Sequence, residues 1–285
     1  MPTPSLPQVS TDGSPLLTAP VMQLLLAARP TGSQSVEVSC SLDLGRSMTV
    51  AEAKADGWAW NGGEFPYVAR CKERTVYLWS GHEFEAAARY GTSLVKLVPT
   101  EWGAPTFEID GIKMLPTSKR SPYEDAAEKV ALVRPRGRFV LDTCGGLGYF
   151  AAQCIRAGAA AILSFEKNAE VLWLRTINPW SPASEPPLDF RLADVTQAVI
   201  TLPDASVDAI LHDPPRFAIA GELYSQDFYG HLARIAREGA RLFHYTGAPN
   251  SLSHGRDLPG EVLNRLTLAG FRTERHGDGL LAVRR

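Results

Sequence analysis

The chain has 285 residues, enough for one or two domains, with 45% hydrophobic and 21% charged residues, a mixture that can bury a sizeable core. Twenty-nine basic residues against 31 acidic ones give a net charge of −2, which argues against a protein whose main work is coating nucleic acid or an anionic membrane. No apolar run approaches the ~20 residues of a membrane span. The four cysteines (Cys40, Cys71, Cys144, Cys154) show neither a CxxC pair nor zinc spacing, so a reduced, cytoplasmic compartment and no metal are expected.

Residues 1–34 read as a flexible arm, because six prolines fall within the first 30 positions. The first basic residue is Arg29, which suits neither a secretory signal nor a transit peptide. Residues 21–28 are apolar enough for a turn or two of helix. Residues 35–118 read as a small β-rich unit. Residues 36–42 alternate partly with period two, and Asn61-Gly62-Gly63 signals a turn. Asp110-Gly111 between residues 106–109 and 112–115 predicts a hairpin with a type I′ turn. A short helix is expected over residues 83–90.

Residues 119–285 have a different texture. An amphipathic helix is expected over 123–133, with Ala126, Ala127, Val130 and Val133 on one side. Buried strands at 138–142, 161–166, 188–193, 207–212 and 241–245 then alternate with helices at 147–157, from Asn168 to about 177, at 228–237 and at 261–269. Residues 271–275 and 280–283 close the chain as two strands about a His276-Gly277-Asp278-Gly279 turn. Short Val, Ile, Leu and Phe runs alternating with helices predict an open, mostly parallel α/β sheet covered on both faces.

The chemistry concentrates at the carboxyl ends of these strands. Asp142-Thr143-Cys144-Gly145-Gly146-Leu147-Gly148 leaves the first strand and opens a helix. Gly146 and Gly148 permit close approach of backbone to a ligand, and the helix start is electropositive. Glu166, eighteen residues past Gly148, ends the second strand, where an acid accepts two hydrogen bonds from a ribose diol. Asp194 ends the third and could meet an adenine amino group. Two ligands compete for this arrangement. Gly146 to Ala151 satisfies the dinucleotide pattern G-x-G-x-x-G/A. Asp142, just before the glycines, would repel a pyrophosphate but suits the sulfonium and ammonium of S-adenosylmethionine, which is therefore the expected cofactor.

His212-Asp213-Pro214-Pro215-Arg216-Phe217 ends the fourth strand. First and fourth strands would flank the topological switch point, so this loop faces the reactive end of the ligand. The D-P-P turn is rigid and presents carbonyls, because proline fixes φ and offers no N–H. Asp213 and the Pro214 carbonyl would accept hydrogen bonds from an amine and aim its lone pair. Phe217 could stack on a planar acceptor. His212 and His244 could serve as general bases or be satisfied core histidines. Tyr224, Glu222 and Tyr245 lie near the same rim. Seven basic residues crowd positions 113–138 against three acids; they could receive an anionic substrate or RNA, or form a solvated face.

With these residues in view, the chain resembles class I S-adenosylmethionine-dependent methyltransferases. More narrowly it resembles a mainly archaeal group of predicted methyltransferases, sometimes labelled as related to spermidine synthases. The likeness rests on Leu97-Val98-Pro99-Thr100, Ser121-Pro122-Tyr123-Glu124-Asp125, Asp142 to Tyr149, Asn178-Pro179-Trp180-Ser181, His212 to Phe217 and Phe243-His244-Tyr245-Thr246-Gly247. It implies a Rossmann-like seven-stranded methyltransferase sheet with one reversed strand, joined to the small β-rich N-terminal unit. It implies a cofactor set in which Asp142, Cys144, Gly146 and Gly148 hold the methionine part. Glu166 would hold the ribose and Asp194 the adenine, and Lys167 joins the cofactor-binding set. The D-P-P loop is similar to the (D/N)-P-P-(Y/F) loop of enzymes that methylate amino nitrogens, which makes Asp213, Pro214 and His212 the catalytic candidates. Pro215, Arg216, Phe217, Tyr224 and Tyr245 are the substrate-binding candidates. Arg216 stands where that loop carries its aromatic residue, and Phe217 follows one place later.

The expected activity is methyl transfer to a nitrogen of an acceptor that the sequence does not name: a small amine, RNA or protein. Two other readings stay open. One is an aminopropyltransferase of the spermidine synthase type, although the adjacent acids that such enzymes carry after the fourth strand are missing. The other is a non-catalytic, cofactor-binding reader of RNA or a protein partner.

Overall fold

The computed structural model describes residues 13–247 and 257–285. The chain divides into two compact units, one comprising the residues up to Glu124 with Trp173–Trp180, the other Asp125–Leu172 with Ser181–Arg285.

The smaller unit is built from short antiparallel sheets. One runs Val36–Cys40, Thr49–Ala53, Trp58–Trp60, Gly63–Phe65 in simple up-and-down order. Its inward residues meet a group of aromatic rings. Trp58 stacks on Phe65 with centroids 4.6 Å apart, and Trp79 meets Phe65 edge-on at 5.2 Å. Such offset and edge contacts match the ring quadrupoles while burying large apolar area. The arm expected over residues 1–34 lies outside the described residues in its first twelve positions; beyond them it is built into this unit. Leu16–Leu17 pairs with Tyr77–Trp79, and a helix spans Ala19–Ala27. Leu17, Met22 and Leu25 are fully buried, so the apolar run overrides the proline-rich composition around it. The helix expected over 83–90 is instead two strands, Phe84–Ala86 and Ala88–Tyr90. Phe84 pairs across to Trp79 and Ala88 to Lys96, so each half of the segment is drawn into a hairpin with the strand next to it in the chain, an extended pairing that a helical periodicity within 83–90 does not reveal. The hairpin expected about Asp110-Gly111 forms, with φ of +48° and +79° at the two turn residues as a type I′ turn requires.

The larger unit carries the seven-stranded sheet. Helix α1 (Pro122–Val133) leads into β1 (Phe139–Asp142), α2 (Tyr149–Arg156), β2 (Ala161–Glu166), α3 (Ala169–Ile177) and β3 (Leu188–Leu192). Helix α4 (Val195–Thr201), β4 (Val207–His212), α5 (Gln226–Ile235), β5 (Ala236–Tyr245), α6 (Leu258–Leu268), β6 (Phe271–His276) and β7 (Gly279–Arg284) follow. The spatial order is β3-β2-β1-β4-β5-β7-β6, parallel except for β7, which runs antiparallel to both of its neighbours. This is a Rossmann-like α/β fold. Val140, Leu141, Ile210, Leu211 and Leu242 are fully buried because helices cover both faces of the central strands. Strand order reverses between β1 and β4, and their register pairs Asp142 with Leu211. That pairing brings the glycine loop after Asp142 and the D-P-P loop after His212 to the same edge, where open α/β sheets bind ligands. Among the described residues, no helix is long and apolar enough to cross a membrane.

Candidate active site at the carboxyl edge of the sheet

The glycine loop is fixed by backbone geometry. Gly146 and Gly148 adopt φ of +48° and +81°, the left-handed region that side chains disfavour. Gly145 serves packing: a Cβ there would come within 2.5 Å of Ser164 Oγ and 3.1 Å of the Phe190 ring. Asp142 is fully buried, and its Oδ2 accepts the Ser164 hydroxyl at 2.8 Å. It does not line the cavity described below, and its bond to Ser164 braces the ends of neighbouring strands β1 and β2.

Glu166 is the hinge of the site. Its Oε2 accepts the Gly146 N–H at 3.1 Å and its Oε1 accepts the Asn168 N–H at 2.9 Å. One side chain at the β2 tip therefore ties the glycine loop to the start of α3, where Asn168 caps the helix by accepting the Glu170 N–H at 2.9 Å. A carboxylate oxygen accepts more than one hydrogen bond, so the same pose is compatible with donation from a sugar diol. Asp194 has a structural duty the sequence reading did not assign. It caps α4, a helix not expected from sequence, with Oδ1 accepting both the N–H and the hydroxyl of Thr196 at 2.8 and 2.7 Å.

A cavity of about 60 Å³ opens among these groups. Phe165, Val195 and Leu223 give it apolar wall, while Cys144, Glu166, Lys167, Asp194 and Glu222 supply polar rim, with Pro215 of the D-P-P loop on another side. Of the expected cofactor residues, Cys144, Glu166, Lys167 and Asp194 thus line one cavity with Pro215 of the D-P-P loop, and Gly146 is tied to it through Glu166. Gly148 is set back at the start of α2. Lys167 and Glu222 pair across the rim at 3.3 Å. Burial pushes the Cys144 thiol well above its ordinary value, as expected of an inert wall thiol.

The D-P-P loop is held from below by a buried polar network. His212 Nε2–H donates to the Leu223 carbonyl at 3.0 Å, so its Nδ1 is the acceptor for the Thr143 hydroxyl at 2.7 Å. Tyr229 donates to His244 Nε2 at 2.8 Å while His244 Nδ1–H donates to the Tyr245 carbonyl at 2.8 Å. The two imidazoles meet edge-on at 4.3 Å. Both histidines are fully buried, and burial lowers the His212 pKa to about 4 and that of His244 well below its usual value. Both nitrogens of His212 are engaged and its ring has no exposed surface, so His212 ties the loop to Thr143 and to the segment 221–224. Tyr224 is buried too and donates its hydroxyl to the Pro215 carbonyl at 2.9 Å, while Phe217 lies edge-on against Tyr224 at 5.4 Å. These two aromatics stiffen the loop from behind. Arg216 is exposed.

Asp213 has a partner that sequence reasoning missed. Lys129 of α1 reaches Asp213 Oδ2 at 3.4 Å and Asp125 Oδ2 at 2.7 Å, and its Nζ lies 4.2 Å from the centroid of the Tyr245 ring. The residue taken from sequence as part of a basic cluster is only 7% exposed. The i, i+4 spacing of Asp125 and Lys129 is the one local signal of the pairing. Burial raises the Asp213 pKa, Lys129 pulls it down and Asp125 pushes it up, for a net rise. For Lys129 burial acts downward but is outweighed by Asp213 and Asp125, so its pKa is raised.

No family model matches the chain. The uncharacterized protein MJ1233 of Methanocaldococcus jannaschii is 35% identical over 279 residues, spanning 94% of this chain and 96% of that protein. The chain belongs to the same family as MJ1233. Among solved structures, a spermidine synthase in complex with the transition-state analogue AdoDATO is similar with a TM-score of 0.56 at 15% identity, covering 69% of this chain and 72% of that one. Spermidine synthase from Thermotoga maritima gives a TM-score of 0.53 at 15% identity, covering 69% and 71%. At such identities the likeness is one of fold.

Proposed function

We propose that this chain is an S-adenosylmethionine-dependent methyltransferase that alkylates a nitrogen of its acceptor. The observation carrying this reading is the shared wall: Cys144, Glu166, Lys167 and Asp194 from the first three strand tips line one cavity with Pro215 of the D-P-P loop. An apolar slot with acids on its rim suits a nucleoside that bears positive charge elsewhere, and Glu166 is already oriented by two backbone donors. By donor type these residues suit the cofactor, and a cavity of about 60 Å³, room for roughly two waters, must widen to admit it: Glu166 would hold the ribose, Asp194 the adenine edge and the glycine loop the amino acid moiety. When bound, the cofactor supplies an electrophilic methyl group on a sulfonium.

The chain's own contribution is positioning and electrostatics. Asp213 and the Pro214 carbonyl, on a loop with little backbone freedom, accept hydrogen bonds from the acceptor's N–H groups and direct the nitrogen lone pair. The same oxygens stabilise positive charge that develops on nitrogen during transfer. With His212 sequestered, the proton released by the nitrogen passes to water or to Asp213. Aminopropyl transfer is the second reading, because spermidine synthases are among the solved structures similar to the chain. That likeness extends to the fold, and a polyamine would need carboxylates that Lys129 does not already neutralise.

Two measurements test the proposal together. Adenosylhomocysteine should bind the purified chain in calorimetry, and labelled methyl from S-adenosylmethionine should enter a component of fractionated cell extract. Transfer should fall at least about 100-fold for Asp213→Ala, the scale for losing a preorganised charge-stabilising group. Absence of binding at millimolar ligand, or equal labelling by that variant, defeats the assignment. Aminopropyl label incorporated from decarboxylated S-adenosylmethionine in preference to methyl would favour the second reading.

A further inference from the structure

Lys129 stands at the acceptor loop, and nothing in the proposed reaction needs it. Its ammonium is enclosed by Asp125 Oδ2 at 2.7 Å, Asp213 Oδ2 at 3.4 Å, the Tyr245 ring at 4.2 Å and the Phe150 ring at 5.9 Å. Two carboxylates and two aromatic faces are the elements that recognise an alkylammonium ion from outside. Here the ion is supplied by the chain itself, from a helix fixed against the sheet: Val130 and Val133, which flank Lys129 on α1, are buried.

We propose that Lys129 is a specificity determinant of the acceptor site: its ammonium fills the place a protonated amine would take beside Asp213, so the site admits a nitrogen that arrives neutral. This deepens the methyltransferase reading and rests on it. The chemical reason lies in the transfer step. The acceptor's lone pair forms the new N–C bond while the C–S bond breaks and its electron pair goes to sulfur. Nitrogen thereby gains the positive charge and afterwards releases a proton. A protonated aliphatic amine has no lone pair to give, and its ordinary pKa is ~10. A loop that presented two bare carboxylates, Asp125 and Asp213, would capture such ions in their unreactive form. With Lys129 in place the two carboxylates carry one compensating positive charge, and the exposed Arg216, three residues beyond Asp213, adds another cation to the same loop. Asp213 keeps its second oxygen, Oδ1, for a hydrogen bond from the acceptor. Amines whose lone pair is conjugated, and which are therefore neutral at physiological pH, satisfy this site; free polyamines do not.

The test is equilibrium binding of spermidine to the full chain at low ionic strength, measured with adenosylhomocysteine present and absent. Wild type should bind spermidine weakly. Lys129→Met keeps the aliphatic bulk and removes the charge, and should bind spermidine at least tenfold more tightly. Lys129→Arg restores the charge and should return to wild-type behaviour, and adding Asp213→Asn to Lys129→Met should abolish the gain. A residue that only braced the fold would give no such gain of affinity. Thermal melting reports whether each variant is folded, and Lys129→Gln replaces the Met variant if that one is not. Spermidine binding as tight in wild type as in Lys129→Met, or no response to Asp213→Asn, overturns the inference. Failure of every variant, wild type included, to bind adenosylhomocysteine refutes the cofactor reading instead, and the spermidine contrast without that ligand still reports on Lys129.

Discussion

Glu166→Gln is the sharpest perturbation of the site. The wild-type carboxylate receives two backbone N–H groups, from Gly146 at 3.1 Å and Asn168 at 2.9 Å. A glutamine of the same shape offers one acceptor oxygen, so one N–H keeps a partner, now uncharged, and the other faces an amide NH2. Hydrogen bonds to charged groups contribute about 1.5–3 kcal/mol and neutral ones about 0.5–1.5 kcal/mol. Loss of one bond and weakening of the other therefore costs about 2–3 kcal/mol of stability, a fall in Tm of roughly 4–12 °C for a domain of this size. If the carboxylate also holds a ribose diol, adenosine should bind about 10- to 150-fold more weakly, the equivalent of one lost charged hydrogen bond. Calorimetry with adenosine and with 2′,3′-dideoxyadenosine separates the two duties of Glu166. The dideoxy ligand lacks the hydroxyls, so its weak affinity should differ little between wild type and variant. Adenosine affinity within twofold of wild type, or an equal loss for both ligands, would refute diol recognition by Glu166.

The remaining predictions concern the scaffold. The folded pKa of His212, about 4, lies below the ordinary value of 6.5 because burial disfavours the charged ring. The unfolded chain therefore takes up a proton that the folded chain refuses, and stability present above about pH 6.5 is lost as pH falls toward 4. Urea unfolding at pH 7 and pH 4.5 should show His212→Gln escaping about 2–3 kcal/mol of the wild-type decline; equal declines would contradict the buried neutral ring. Gly145→Ala places a Cβ 2.5 Å from Ser164 Oγ. It should destabilise the chain by about 1–3 kcal/mol or more, whereas a urea midpoint unchanged from wild type would show that the close approach is relieved without cost.

Much of the larger unit was legible from sequence because its signals are local. Short β-branched runs ending at Asp142, Glu166 and His212 predict buried parallel strands, and these form with bounds close to those expected. The glycine loop was readable because positive φ selects for glycine, and the Asn168 cap because its side chain acts within three residues. What failed depended on pairing with strands outside the segment being read. Residues 83–90 became strands through pairing with Trp79 and Lys96. That Asp142 is buried against Ser164 followed from the register of the two strands, which the sequence does not show.

The same divide runs through the D-P-P loop. Sequence alone determined that Asp213 sits between a strand end and two prolines, because residue order and proline stereochemistry suffice for that. Only the tertiary structure decided that His212 is locked away by Thr143 and Leu223, and that Lys129 meets Asp213 across 84 residues of chain. A side chain's charge is written in the sequence, but its burial and its partner follow from packing, and those two govern whether it reacts, braces or excludes.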